Sequence, residues 1–234
     1  MSELPPVIAI DGPGGTGKGT VGELIAKKLG WHYLDSGALY RLLAYAALER
    51  RIDLSSEQQL QDLAHHLSIE FIETNGAIKI LLSGQDVTFA IRSESCGNAA
   101  SRIAALSAVR TALLDRQRMF RRWPGLVTDG RDMGTVVFPD AQLKIFLQAS
   151  LEERAKRRFA QLKSQEVHVS LDAILQDLVQ RDTRDKQRGV APLIPALDAI
   201  LIDTTELTVE QVFERILQVW SSIKRRPGRE SGSS

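Results

Sequence analysis

The sequence predicts an α/β fold: three layers, with a five-stranded parallel sheet flanked by helices, a small inserted antiparallel β subdomain and a helical lid. Three observations carry this expectation. Short apolar segments alternate with helical ones along most of the chain, as in sheets built from strand–helix–strand units. A glycine-dense turn follows the first apolar segment. One hairpin pattern interrupts the alternation.

The expected strands are Val7–Asp11, His32–Asp35, Leu126–Asp129, Leu143–Leu147 and Ala199–Asp203. They are short and mostly apolar, as strands covered on both faces must be. Several end in Asp, which sets carboxylates along the carboxyl edge of the sheet, where open α/β sheets bind ligands. Helical patterns fall between them at Lys18–Leu29, Leu39–Arg50, Val109–Arg121, Leu151–Leu162, Leu171–Asp185 and Val209–Trp220.

The interruption is Ile69-Glu-Phe-Ile-Glu-Thr, then Asn75-Gly76, then Ala77-Ile-Lys-Ile-Leu-Leu. Asn-Gly favours a type I′ turn, so this stretch predicts a β-hairpin. Antiparallel pairing does not belong in a parallel core, and residues 68–101 are expected to form an insertion within a single domain spanning 1–234. The tail, 224–234, has a disorder-prone composition.

Composition places the chain among ordinary globular proteins. Its 234 residues suffice for a proper core, and 30 basic against 29 acidic residues leave a net charge of +1. That balance gives no electrostatic case for a nucleic-acid or membrane partner. No apolar run is long enough to span a bilayer, and the N-terminal stretch lacks the regions of a signal peptide. The single cysteine, Cys96, suits a reducing compartment and reads as a packed small side chain. A cytoplasmic location is expected. His65-His66 has no partner at metal-ligand spacing and reads as a polar helix surface.

The chemistry begins at Gly12-Pro13-Gly14-Gly15-Thr16-Gly17-Lys18-Gly19-Thr20. Glycines let backbone N–H groups press against an anion, and the helix starting at Lys18 adds its positive end. Lys18 brings a full charge to β- and γ-phosphates, and Thr20 a hydroxyl for magnesium. The hydroxyl stands one residue later than in the usual phosphate loop. Gly12-x-Gly14-x-x-Gly17 followed by Asp35 also satisfies a dinucleotide fingerprint. Lys18 favours the triphosphate, since a pyrophosphate held by a dinucleotide fold needs no lysine.

Three further groups bear charge. In Asp35-Ser36-Gly37-Ala38-Leu39-Tyr40-Arg41, the first residues turn the chain and cap a helix, and Arg41 offers a bidentate grip on phosphate. In Asp129-Gly130-Arg131-Asp132-Met133-Gly134-Thr135, Arg131 and Asp132 project into the strand-end crevice, and Asp129 could orient water on magnesium. Arginines crowd the region 151–190: Arg154, Arg157, Arg158, Arg181, Arg184 and Arg188. Gly189 and Pro192 follow as a hinge, so this region reads as a lid closing on transferring phosphates.

Together these motifs resemble the nucleoside monophosphate kinases of the P-loop class, and within them the bacterial cytidylate kinases, over about Val7 to Trp220. The loop of that branch reads Gly-Lys-Gly-Thr, which accounts for the displaced Thr20. The resemblance implies transfer of the γ-phosphate of ATP to CMP or dCMP with Mg2+, by a protein expected to be a monomer. It implies that Gly12 to Thr20 hold ATP and that the 68–101 insertion binds the monophosphate. Ser36, Arg41, Arg131 and Arg188 would bind the acceptor phosphate, Arg181 and Asp185 the sugar, and Ser101, Arg110 and Asp132 the base. Lys18, Arg131, Arg157 and Arg188 would serve catalysis, with Arg157 approaching from the lid; Thr20 and Asp129 would serve the metal. Three rival readings stay open: a kinase for UMP, AMP or shikimate, a nucleotide-switch module, and a dehydrogenase indifferent to loss of Lys18.

Overall fold

The structure is a computed structural model and describes residues 4–74, 77–164, 167 and 169–224. Five strands form one parallel sheet: β1 (Val7–Asp11), β2 (His32–Asp35), β6 (Leu126–Gly130), β7 (Leu143–Gln148) and β8 (Ile200–Asp203), in the order β2-β6-β1-β7-β8. Alternate residues of β1 face opposite layers. Val7 and Ala9 join a core with helix α2 (Ser36–Glu49) on one face. Ile8 and Ile10 join another with α1 (Lys18–Leu29) and α8 (Val209–Lys224) on the other. This period of two on a sheet covered on both faces is why the strand reads as continuously apolar. The expected three layers are present.

Register decides what meets at the sheet edge. Asp11 pairs with Gly130, and Asp35 with Asp129, so three strand-end carboxylates stand side by side. The chain leaves β1 toward β2 on one side and continues to β7 and β8 on the other, which opens a crevice at the β1 carboxyl end.

Between α2 and β6 lie α3 (Glu57–His66), strands β3 (Ile69–Thr74), β4 (Ala77–Leu82) and β5 (Gln85–Asp86), then α4 (Glu94–Ile103) and α5 (Ser107–Arg118). The three strands form a separate antiparallel sheet. The hairpin is as expected; its Asn75-Gly76 turn lies outside the described residues, as does the tail from 225. β5 and α4 are not among the expected elements; α3 ends in His65-His66, the pair read as a polar helix surface, and its extent is new. Helix α2 begins at Ser36, three residues before the periodicity suggests, because the Asp35 carboxylate caps it by accepting from the Ala38 N–H at 3.0 Å. The lid arginines sit on α6 (Leu151–Ser164) and α7 (Leu171–Gln187). Among the described residues no helix is long and apolar enough to cross a membrane.

Candidate active site

The β1–α1 loop takes its shape from what a side chain would hit. A Cβ on Gly12, at φ +147°, would lie 2.1 Å from the Leu147 carbonyl oxygen. A Cβ on Gly15, at φ +81°, would meet Arg154 at 2.9 Å. Inside the turn, the Pro13 carbonyl accepts from Lys18 Nζ at 2.8 Å and from Thr16 Oγ1 at 3.1 Å. Burial, reinforced by the Arg131 guanidinium, brings the Lys18 ammonium down to about 7, against the pull of Asp129, Asp11 and Asp35.

The strand-end carboxylates have divided roles. Asp11 accepts from the Met133 and Gly134 N–H groups, both at 2.8 Å, and so fastens the Asp132–Gly134 turn to β1. Burial pushes its carboxyl up to about 6, although those two hydrogen bonds work against the shift. Asp129 accepts from the Tyr33 hydroxyl at 2.6 Å. Burial and then the neighbouring Asp35 push the Asp129 carboxyl up to about 7. A cation would relieve that crowding of negative charge.

Beside Lys18 opens a cavity of about 290 Å³ that gathers residues from the β1–α1 loop, α2, α4, α5, β6 and α7. Lys18, Gly19, Ser36, Arg41, Asp129 and Arg131 line the end near the loop. Ser101, Arg110, Asp132, Arg181, Asp185 and Arg188 complete the wall. Six cationic side chains face four carboxylates there among the described residues. The surplus suits a phosphate monoester dianion. Arg110 and Asp132 form a buried ion pair, and the Arg110 guanidinium lies 5.7 Å from the Tyr40 ring centroid. Arg131 Nε donates to Asp185 Oδ2 at 2.6 Å, and Arg188 stands 3.6 Å from Asp132. Ser101 Oγ is buried with no hydrogen-bond partner. A buried hydroxyl in that condition calls for a ligand.

A larger cavity of about 610 Å³ adjoins it; Gly14, Arg41, Arg131 and Arg181 line both. Gly15, Thr16, Gly17 and Thr20 form its floor, and lid residues including Arg157 and Arg158 its roof. Thr20 and Asp129 therefore stand on different cavities. Gly12 and Pro13 shape the loop without lining either. The Arg157 guanidinium donates to Glu153 at 2.9 Å and to the Thr204 carbonyl at 2.6 Å, which places it beside the β8–α8 connection.

This arrangement agrees with a comparison of whole sequences. The cytidylate kinase family model matches residues 8–222. The chain belongs to the cytidylate kinase family. It is 58% identical over 219 residues to a cytidylate kinase of Pseudomonas fluorescens strain Pf0-1, covering 93% of this chain and 96% of that one. A Pseudomonas syringae pv. tomato cytidylate kinase is 61% identical over 220 residues, with the same two coverages. One from Klebsiella pneumoniae strain 342 is 55% identical over 218 residues, again at 93% and 96%.

In this member of the family, four residues have structural roles that motif reasoning does not assign, although Asp11 and Arg154 lie within segments it singles out. Asp11 could have been found as a carboxylate directly before the phosphate loop. Arg154 donates to the Gly14 carbonyl at 3.1 Å and pairs with Asp182 at 2.6 Å, so it braces the loop from the lid. Tyr33 and Glu94 lie outside every motif, and nothing in their local sequence marks them.

Proposed function

We propose that this enzyme transfers the γ-phosphoryl group of ATP to CMP or dCMP, giving ADP and CDP or dCDP. The observation that supports this most is the smaller cavity, where a cationic phosphate end and a buried Ser101–Arg110–Asp132 corner share one enclosed space beside Lys18. The larger cavity is the place for ATP, its phosphates on the loop from Gly12 to Thr20. The nucleophile is an acceptor phosphate oxygen, already ionised at neutral pH, so no general base is required. It bonds to the γ-phosphorus while the bond to the β–γ bridging oxygen breaks, and that oxygen leaves with ADP. Ser36, Arg41, Arg131 and Arg188 bind the acceptor phosphate, and Arg181 and Asp185 take the sugar. Lys18 and Arg131 flank the junction of the cavities and offset charge on the transferring group. Arg157 joins them from α6 when it exchanges Thr204 for phosphate. Closure of the lid keeps out water, the competing acceptor.

The residues present fit Mg2+. Asp35 and Asp129 are adjacent in register, and the Asp35 charge adds to the burial that raises the Asp129 pKa, so a cation between them would be favoured. They would hold the ion through water from the smaller cavity, and the Thr20 hydroxyl would face it from the larger one. Bound there, magnesium would neutralise charge on the β- and γ-phosphate oxygens.

Base choice follows from hydrogen-bond chemistry. Cytosine offers an amine to Asp132 and Ser101, and acceptors to Arg110. Uracil would set a carbonyl against the buried carboxylate, a mismatch worth strong rejection. A coupled ADP-release assay with ATP and magnesium, comparing CMP, dCMP, UMP, AMP and no acceptor, tests both parts. Turnover with CMP and dCMP and little with the rest is expected. Equal turnover with UMP would discard the account of base choice, and none with any acceptor would discard the transfer.

A further inference from the structure

One carboxylate stands where the lid meets the insertion. Glu94 is the first residue of α4, directly after the cap Ser93, whose hydroxyl accepts from the Cys96 N–H at 3.3 Å. The Glu94 side chain lines the larger cavity. Its Oε1 accepts from Arg158 Nε at 2.8 Å and from a second N–H of the same guanidinium. Its Oε2 accepts from Arg181 Nη2 at 2.6 Å. Arg158 belongs to α6 and Arg181 to α7, so one carboxylate of α4 touches both lid helices; Asn98 of α4 adds neutral contacts to α7 alone, accepting from Arg181 at 3.3 Å and from Arg184 at 3.1 Å.

The surroundings show why a carboxylate is needed there. A Cβ on Gly97 would meet Arg181 at 2.9 Å and Arg41 at 3.1 Å, so the two guanidiniums crowd one small space. Like charges in such proximity require an anion beside them. Asp177, on the same helix as Arg181, supplies part of that charge at 2.8 Å. Glu94 supplies the part that crosses to another element. An isolated, partly exposed ion pair is worth little, but one carboxylate shared by two arginines, one of them bidentate, fixes direction as well as proximity. Arg181 and Arg41 line both cavities, so what orients Arg181 orients a group at the junction itself.

We infer that Glu94 is a positioning residue for phosphoryl transfer: it aims Arg181 at the junction of the two cavities, holds Arg158 on the wall of the larger one, and ties the lid to the acceptor-side helix. This rests on reading those cavities as the donor and acceptor sites. The phosphate loop, and with it affinity for ATP, is built without Glu94. Loss of its charge therefore slows transfer and admits water while leaving donor binding in place.

The test compares full-length wild type, Glu94→Gln and Glu94→Asp. For Glu94→Gln, kcat with CMP falls about tenfold, KM for ATP stays within about twofold, and ADP release without acceptor rises relative to transfer. Glu94→Asp keeps the carboxylate and recovers part of the lost kcat. A second readout does not depend on activity. Nitroxide labels replace the exposed Arg102 of α4 and Gln180 of α7, with the buried Cys96 changed to Ala. Their distance distribution is narrow with Glu94 and broad with Gln. An unchanged kcat in Glu94→Gln, whether the distribution broadens or only the melting midpoint drops, overturns the inference. So does a distribution that stays narrow. A wild type that releases no ADP with CMP would instead sink the transfer reading, and the labels would still report whether Glu94 anchors the lid.

Discussion

The insertion and the lid both border the cavities, yet they are joined to the body by opposite means. Ile80, Val87, Ile91, Cys96 and Ala100 of the insertion belong to the same buried cluster as Leu39, Leu42 and Leu43 of α2. The insertion is therefore an extension of the main core. Lid residues Ala155, Leu162, Ile174 and Leu178 pack instead in a small cluster of their own. Outward from it, the lid reaches Glu94 through Arg158 and Arg181, the Gly14 carbonyl through Arg154, and Arg131 through Asp185. Apolar joints lose stability in proportion to the area separated. Charged joints can trade a protein carboxylate for a phosphate oxygen at small net cost. An apolar joint suits a surface that must hold its shape, and a charged joint one that must open and close, which is how the proposed function would use them.

The largest effect that would sharpen this contrast lies on the charged side. Lys18→Met should lower kcat on the order of 10³-fold, the scale of losing a preorganised cation at a transferring phosphoryl group. Its thermal midpoint at pH 7 should not fall, because burial already disfavours the ammonium. A marked loss of stability would break the division between apolar support and charged function.

A matched pair of truncations compares the joints themselves. Ile103→Ala, at a fully buried position in the shared core, should cost about 3 kcal/mol in denaturant unfolding. Leu178→Ala, in the lid cluster, should cost about 1 kcal/mol globally, because a satellite region can open without the rest. Faster amide exchange should be confined to α6 and α7. Equal global costs would show that the lid is part of the main cooperative unit.

The remaining comparison is a pH dependence. Asp129 titrates near 7 folded against 3.8 unfolded, so the folded state binds the extra proton between those values. Its contribution is fully present below about pH 4 and is lost as pH rises through about 7. Asp129→Asn should remove that loss and leave the variant more stable than wild type at pH 8. Parallel stability curves for the two proteins would refute the assignment. Lys18, Asp35, Arg131 and Tyr33 all act on this carboxyl, so the change should be read against their unchanged background.

The parts of the molecule most legible in the sequence are those with strong local rules. Buried strands announce themselves as apolar runs, and the phosphate loop by glycines that only close backbone approach demands. The extent of helix α3 escaped because only Leu60, Leu63 and Ala64 of its ten residues are buried. Helix α4 packs through Cys96, Gly97, Ala99, Ala100 and Ile103, a face with one large side chain that leaves little periodic signal. At the site, Arg131 and Asp132 are visible as a motif, and Arg110 and Asp185 come with the family resemblance, but which of them pair is not legible. Asp185 reaches Arg131 across 54 positions and Arg110 reaches Asp132 across 22, separations that no local pattern encodes. Arg157 shows the same limit: its place beside Thr204 depends on a strand 47 residues downstream.

The sheet order also governs when the enzyme comes into being. Strand β1 precedes the other four strands of its sheet in the sequence, yet it sits in the middle, between β6 and β7, which are translated more than a hundred residues later. Asp11 waits likewise for Met133, 122 residues on, before its carboxylate has anything to fasten. A growing chain therefore carries its phosphate loop unfinished through most of synthesis, and contacts this distant make for slow assembly. Fragments ending before β7 cannot build the loop's walls, so nucleotide capture arrives late and together with the rest of the fold.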